Sequence, residues 1–220
     1  LGQSKEQAEF GKNETPQGGL SGDKGYIFES ILANKWSQLP EVLKRHYAIR
    51  SGSDDRSIVR GEMSVRYRGP LKLLAPVYRL LGSVPLINQD KVETEVLFHG
   101  EKDDAGFRFV RTFKPQNEKP YQFRSTMFQL AGSEVIEVMR FGFCWWLNYD
   151  FENGQVLLRH KGYGVRWFGR FFSLPLTSLL GRADAWEKAV DNDHFEMQVK
   201  VVHPIFGEIY SYSGVFGFDK

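Results

Sequence analysis

The stretch Phe141-Gly-Phe143-Cys-Trp145-Trp-Leu147-Asn-Tyr149-Asp-Phe151-Glu152-Asn153-Gly154 carries a large apolar side chain at every second position and then stops at Asn-Gly. A period of two sends successive side chains to opposite faces of a pleat, and Asn-Gly tolerates the positive φ angles of a tight hairpin turn. The stretch therefore reads as a half-buried strand that turns at Glu152-Asn153-Gly154 and returns as a second strand, Gln155 to Trp167. The segment Arg140 to Phe218 continues the same aromatic alternation with breaks at Gly, and the rest of the chain is expected to wrap round it.

Working outward, Ile58 to Arg68 is an amphipathic strand, with Val59, Gly61, Met63, Val65 and Tyr67 on one face and Arg60, Glu62, Ser64, Arg66 and Arg68 on the other. Its basic face is expected to mark a solvated sheet edge, where charge discourages pairing with another chain. Lys91 to His99, Gly106 to Lys114, Gln122 to Ala131 and Glu134 to Arg140 follow as strands joined by polar or Gly-containing turns. A last hairpin, His194 to Val202 and Ile205 to Phe218, turns across His203-Pro204. No helix-length segment separates the middle strands, which disfavours a parallel, doubly wound sheet. The expected fold class is α+β, predominantly β: a large curved antiparallel sheet forming a barrel, clam or sandwich, with N-terminal helices and one covering helix.

The helices read from a different spacing. Ile27, Ile31 and Leu32 share one helical face, and Leu39-Pro40 restarts a helix in which Pro40 takes the first position and Val42, Leu43, His46 and Tyr47 face the sheet. Pro70 to Gly82 returns to helical spacing with a kink expected at Pro76, and it covers one end of the sheet or acts as a lid. Gly169 to Gly181 is too apolar for an exposed loop and needs cover. Ala183 to Val190 reads as a short helix or an irregular arm. Leu1 to Lys24, rich in Gly, Gln, Ser, Lys and Glu, buries too little to order itself and reads as a flexible arm, so that residues 25–220 form a single β-rich domain.

Composition narrows the function classes. A chain of 220 residues with 41% hydrophobic positions is long enough for one sizeable core, and 15% aromatic residues suit a pleated surface. A net charge of +2 is too balanced to argue for a nucleic-acid binder. With Cys144 alone, neither a disulfide framework nor a thiolate zinc site forms within the chain, and a cytoplasmic location is the default. No run approaches the ~20 apolar residues of a membrane-spanning helix. The chain starts at Leu1 without a signal pattern, although a removed leader leaves the same appearance.

The motifs Leu39-Pro40 to His46-Tyr47, Arg111-Thr-Phe113, Arg140-Phe141-Gly142-Phe143, Leu174-Pro175 and Pro204-Ile-Phe-Gly207…Tyr212-Ser-Gly214, in that chain order, resemble the bacterial domain of unknown function 4166 family. Members occur alone or behind a saccharopine-dehydrogenase-like nucleotide-binding domain. The resemblance covers about Tyr26 to Phe218. It implies a compact bacterial domain and brings no catalytic residues to carry over, and this chain has no nucleotide-binding half.

The chemistry is sparse but not empty. If the strands hold, Phe107, Phe109, Arg111 and Phe113 share a face, and so do Val135, Glu137, Met139, Phe141 and Phe143. Each aromatic row then contains one charge, and an unpaired buried charge is costly, so Arg111 and Glu137 are expected to pair with each other or with a ligand. The candidate ligand site is Arg111 and Glu137 with Phe109, Phe141, Phe143 and Trp145, the guanidinium holding a carboxylate or phosphate and the rings an apolar body. The bland alternative is a buried ion pair with no ligand. Trp167, Phe171 and Phe172, in Arg166-Trp-Phe-Gly-Arg-Phe-Phe172, form a second candidate, a lid or an aromatic and basic surface for a protein or membrane partner. Packing under a lid explains the same residues.

Signals for catalysis are weak. The five histidines lack metal-motif spacing, Cys144 reads as an inert strand thiol, Asp184, Asp191 and Asp193 read as caps and turns, and Gly162-Tyr-Gly164 lacks the rest of a dinucleotide loop. The expectation is non-catalytic binding of a hydrophobic or amphipathic small molecule, lipid-like or otherwise hydrophobic, in a β-sheet-lined cavity, with no cofactor and no metal. An interaction module using residues 166–181 is the alternative, and an enzyme of unknown chemistry the third.

Overall fold

A computed structural model of the chain describes residues 25–69, 84–102 and 105–218, together with Leu71, Lys72, Tyr78, Leu80 and Gly82. The expected arm at residues 1–24 and the expected kink at Pro76 lie outside the described residues.

Among the described residues eleven strands carry the fold: β1 (Arg56–Tyr67), β2 (Gln89–Gly100), β3 (Phe107–Lys114), β4 (Tyr121–Ala131), β5 (Glu134–Val138), β6 (Phe143–Glu152), β7 (Gln155–Trp167), β8 (Arg170–Leu174), β9 (Arg182–Ala189), β10 (His194–His203) and β11 (Gly207–Gly217). They pair in the order β6-β5-β4-β3-β2-β1-β11-β10-β9-β7-β8, and β6 pairs with β7 as well. Ten strands thus form a closed antiparallel barrel, with β8 attached outside the ring. The thirteen-residue β7 makes this possible. One side follows β6 throughout, while the other pairs with β9 over Gln155 to Leu158 and with β8 over Tyr163 to Trp167.

Each strand follows from its own alternation. Val59, Met63 and Val65 are buried on β1 while Arg60 and Arg66 point outward, and the β6–β7 hairpin turns where Asn153 (φ 52°) and Gly154 (φ 76°) sit in the left-handed region. Closure corrects one expectation. β1 lies between β2 and β11 and is no edge, and its outward arginines bond across the ladder, Arg60 to Glu95 at 2.8 Å and Arg66 to Asp90 at 2.5 Å.

A second correction concerns Ala183 to Val190, which is the regular strand β9 rather than a helix or an arm. Ala, Glu and Lys favour helix by propensity, but Ala183, Ala185 and Glu187 are buried toward the interior while Arg182 and Lys188 are exposed. The segment Gly169 to Gly181 resolves into β8 and a single helical turn, Thr177–Leu180. The strand expected over Glu134 to Arg140 stops at Val138 and is followed by a turn at Arg140–Gly142.

Both ends of the barrel are covered. Helices α1 (Ile27–Leu32) and α2 (Glu41–His46) close one end, where Phe28 packs on Tyr47, Phe98, Phe107 and Tyr149 with ring centroids 4.2 to 6.2 Å apart. Pro40 stands just before α2, at its N-cap, one place earlier than expected. At the other end Leu71 is buried in the core. There the Tyr210 hydroxyl donates to the Pro85 carbonyl at 3.1 Å, and that of Tyr78 to the carbonyl of Leu180 in α3 (Thr177–Leu180) at 3.4 Å. A smaller apolar cluster sits on the outer wall, where Ile136, Cys144 and Trp146 pack with Phe128, Leu130 and Phe171.

Candidate functional site

The barrel interior holds a short row of polar groups among rings. β3 turns Phe107, Arg111 and Phe113 inward, β4 contributes Phe123 and Ser125, and β5 contributes Glu137. Arg111 is 3% exposed and Glu137 2%. The Arg111 Nη2 donates to Glu137 Oε1, and the Ser125 hydroxyl donates to the same oxygen at 2.6 Å. The guanidinium carbon lies 3.5 Å from the ring centroid of Phe109 and 4.1 Å from that of Phe123, so two aromatic faces sandwich the charge. The expected pairing of the two charges is what the fold contains. One donor is left over: Arg111 Nε is buried without an acceptor.

A second polar group lies toward the helical end. The Tyr47 hydroxyl donates to Glu187 Oε2, and His46 Nε2 stands 4.0 Å from that oxygen, while His46 Nδ1 is buried without a partner. Burial pushes the Glu187 carboxyl up to about 7, against the pull of the Tyr47 hydrogen bond and the Arg111 charge. Burial also pushes His46 down to about 3. His46 is visible in the sequence as an inward residue of a helix end. Glu187 is not, because its segment carries a helix-like composition; the one signal is a carboxylate on the same face as Ala183, Ala185 and Ala189.

A third group ties the wall to α3. Trp145 Nε1 donates to His160 Nδ1 at 3.0 Å, so the ring proton of neutral His160 is on Nε2, 3.0 Å from Thr177 Oγ1. Burial lowers the His160 pKa to about 4.

The sequence-derived site residues separate under this geometry. Arg111, Glu137 and Phe109 come together in the interior, and Trp145 and Phe143 face the same side, Phe143 stacking on Tyr163 at 5.7 Å. Phe141 does not join them. The chain leaves β5 at Val138 and turns through Phe141 (φ 57°) and Gly142 (φ 76°), which swings that ring outward to 74% exposure. Of the second candidate, Trp167 is 65% exposed and Phe172 is also exposed, whereas Phe171 packs on Trp146 at 5.5 Å over the outer-wall cluster.

Among the described residues, two grooves on the outer wall stand out. One, of about 630 Å³, runs over β1, β10 and β11 along Glu62, Ser64, Glu196 and Ser213; the other, of about 330 Å³, lies over β7, β9 and β10 beside Arg159, Asp184 and Trp186. Neither includes Arg111 or Glu137. Among the described residues no cluster of His, Cys, Asp or Glu is placed to hold a metal ion. Cys144 is buried, and burial raises its thiol to about 12, far from the thiolate a nucleophile needs. Among the described residues no helix is long and apolar enough to cross a membrane.

Against known proteins, a family model described as "Domain of unknown function (DUF4166)" matches residues 39–216. No curated protein matches the chain. Among solved structures the chain is similar to the crystal structure of Rv2717c from M. tuberculosis, with 11% identity, 74% of this chain and 92% of that chain covered, and a TM-score of 0.41.

Proposed function

Since the chain belongs to the DUF4166 family, whose description assigns no reaction, we propose from the interior alone that the barrel binds an amphipathic small molecule with an anionic or strongly accepting end. One observation carries this reading: Arg111 Nε is a charged group's donor, buried between two rings and left without an acceptor. A buried unmade hydrogen bond costs about 1–3 kcal/mol, which a ligand oxygen would recover. Glu137, its Oε1 also bonded by the Ser125 hydroxyl, takes Nη2 of the guanidinium and leaves Nε to the ligand. The apolar body would lie along Phe109, Phe143 and Trp145, which face inward and keep part of their surface uncovered. The role is sequestration, with apolar contact supplying affinity at about 25 cal/mol per Å² and Arg111 setting orientation.

The test separates binding from folding. Truncating Arg111 alone would strand the Glu137 carboxylate and cost about 3–5 kcal/mol, whereas replacing both partners by apolar residues of similar size is close to neutral. The double variant Arg111→Met with Glu137→Met should therefore keep a cooperative denaturant transition near the original midpoint. In native mass spectrometry of freshly purified protein, the original chain should carry an added mass that the double variant lacks. Displacement of anilinonaphthalene sulfonate by a long-chain carboxylate should be lost in parallel. Equal retention by both proteins, or no added mass and no displacement in the original, refutes the reading.

A further inference from the structure

The end of the barrel away from α1 and α2 has a surface unlike the rest. Phe168 is 89% exposed, Trp167 65% and Phe141 74%, and Leu80, Leu179 and Ile205 are exposed on the same end. The aromatic tips come from two adjacent turns. Phe143 pairs with Val165, and a Cβ at Gly142 would meet the Arg166 carbonyl, so the Arg140–Gly142 turn sits beside the tip of the β7–β8 hairpin. At that tip Phe168 (φ 46°) and Gly169 (φ 75°) make a two-residue turn, and the Trp167 and Phe168 rings stack 5.3 Å apart.

Two features distinguish this rim from scattered surface hydrophobes. Phe141 and Phe168 both hold a bulky side chain in the left-handed region, a conformation that costs free energy and that Gly or Asn would adopt more easily. Folding stability alone does not favour an exposed ring there. The charge around the tips is also of one sign. Residues 138–149 and 161–183 contain no Asp or Glu, and they contain Arg140, Lys161, Arg166, Arg170 and Arg182. Lys161 and Arg182 are paired with Glu134 and Asp184, while among the described residues Arg140, Arg166 and Arg170 have no carboxylate partner.

We infer that this end of the barrel docks onto an anionic lipid surface, with Phe141, Trp167 and Phe168 inserted at the level of the head groups and Arg140, Arg166 and Arg170 against lipid phosphates. Protruding aromatic tips suit a deformable layer in which rings displace head groups and need no preformed socket, and arginines without a carboxylate partner, of which Arg166 lies over the Phe128 ring at 4.1 Å, complement its negative charge. The docking is peripheral and stands apart from what the interior binds: it uses none of Arg111, Glu137 and Phe109.

Vesicle flotation at low and moderate salt tests it, with vesicles of phosphatidylcholine alone and of phosphatidylcholine mixed with phosphatidylglycerol. The chain should float with the mixed vesicles, less at higher salt and little with phosphatidylcholine alone. The variant Phe141→Ser, Trp167→Ser, Phe168→Ser should bind at least about ten-fold more weakly, and Arg140→Gln, Arg166→Gln, Arg170→Gln should lose the salt dependence. Arg166 is half-buried and the other altered side chains are exposed, and unchanged circular dichroism and denaturant midpoints should show that folding is intact. No flotation with mixed vesicles, or equal flotation by the serine variant, overturns the inference. Light scattering that shows a dimer broken by the serine substitutions assigns the rim to a second copy instead, and overturns it equally.

Discussion

Burial moves Glu187 and His46 in opposite directions inside the barrel, favouring the uncharged form of each, and the consequence is measurable. In the unfolded chain Glu187 titrates near 4.5 and His46 near 6.5; in the folded chain burial moves them to about 7 and about 3. A histidine with a depressed folded pKa makes stability rise with pH between its two values, because the unfolded state binds the extra proton there. A carboxyl with a raised folded pKa makes stability fall with pH between its two values, because the folded state binds it. Between 4.5 and 6.5 both effects operate and cancel, so the pair gives a plateau, with a rise below it from about pH 3 and a short fall above it to about pH 7. Glu187→Gln removes one arm. Relative to the original chain, its stability should climb by about 1.4 kcal/mol per pH unit from pH 4.5 to 6.5, read from guanidinium midpoints across that range. Parallel profiles for the two proteins would show that burial does not raise the Glu187 carboxyl.

At the scale of the element, hairpin turns and ladder crossings use glycine for different reasons, and substitution should tell them apart. Gly154 has φ 76° and open space around it, so Gly154→Ala meets only backbone strain, about 1 kcal/mol. Gly61 has ordinary extended backbone, but a Cβ there would collide with the Val215 carbonyl across the β1–β11 ladder. Gly61→Ala should cost more, about 2 kcal/mol or above, and urea titration should rank the two in that order. The reverse ranking would mean that the ladder relaxes freely. The same contrast explains what the sequence makes legible. Asn153-Gly154 announces its turn because the local conformation demands those residues, and the charges at Arg111 and Glu137 stand out because each interrupts an aromatic row. β9 hides because its interior positions are small: Ala183 and Ala185 alternate with polar residues but supply no strong apolar period, and Glu187 is concealed with them. Phe141 misleads in the opposite direction, since the period of two runs on through a turn that only the backbone reveals. The crowding at Gly61 is invisible until Val215 is known to lie opposite.

For the whole molecule, closure depends on one distant pairing. The strands β1 to β7 form one meander and β9 to β11 another; β7 and β9 join them, and β1 with β11 shuts the ring, placing Arg60 opposite Gly217. Contacts so far apart in sequence close loops at a large entropic cost and should put folding in the millisecond-to-second range or slower. They also make the interior all or none. Without β11, β1 and β10 both present open edges, and the core around Arg111 and Glu187 loses a wall to which Tyr210, Tyr212 and Phe216 contribute buried rings. A chain ending at Phe206 should therefore show no cooperative denaturant transition and should aggregate. Addition of the peptide Gly207 to Phe218 in trans should restore near-ultraviolet circular dichroism with a midpoint that rises with peptide concentration, as mass action requires. If the truncated chain alone retained the original transition, the closed ring would not be what excludes water from the buried charges.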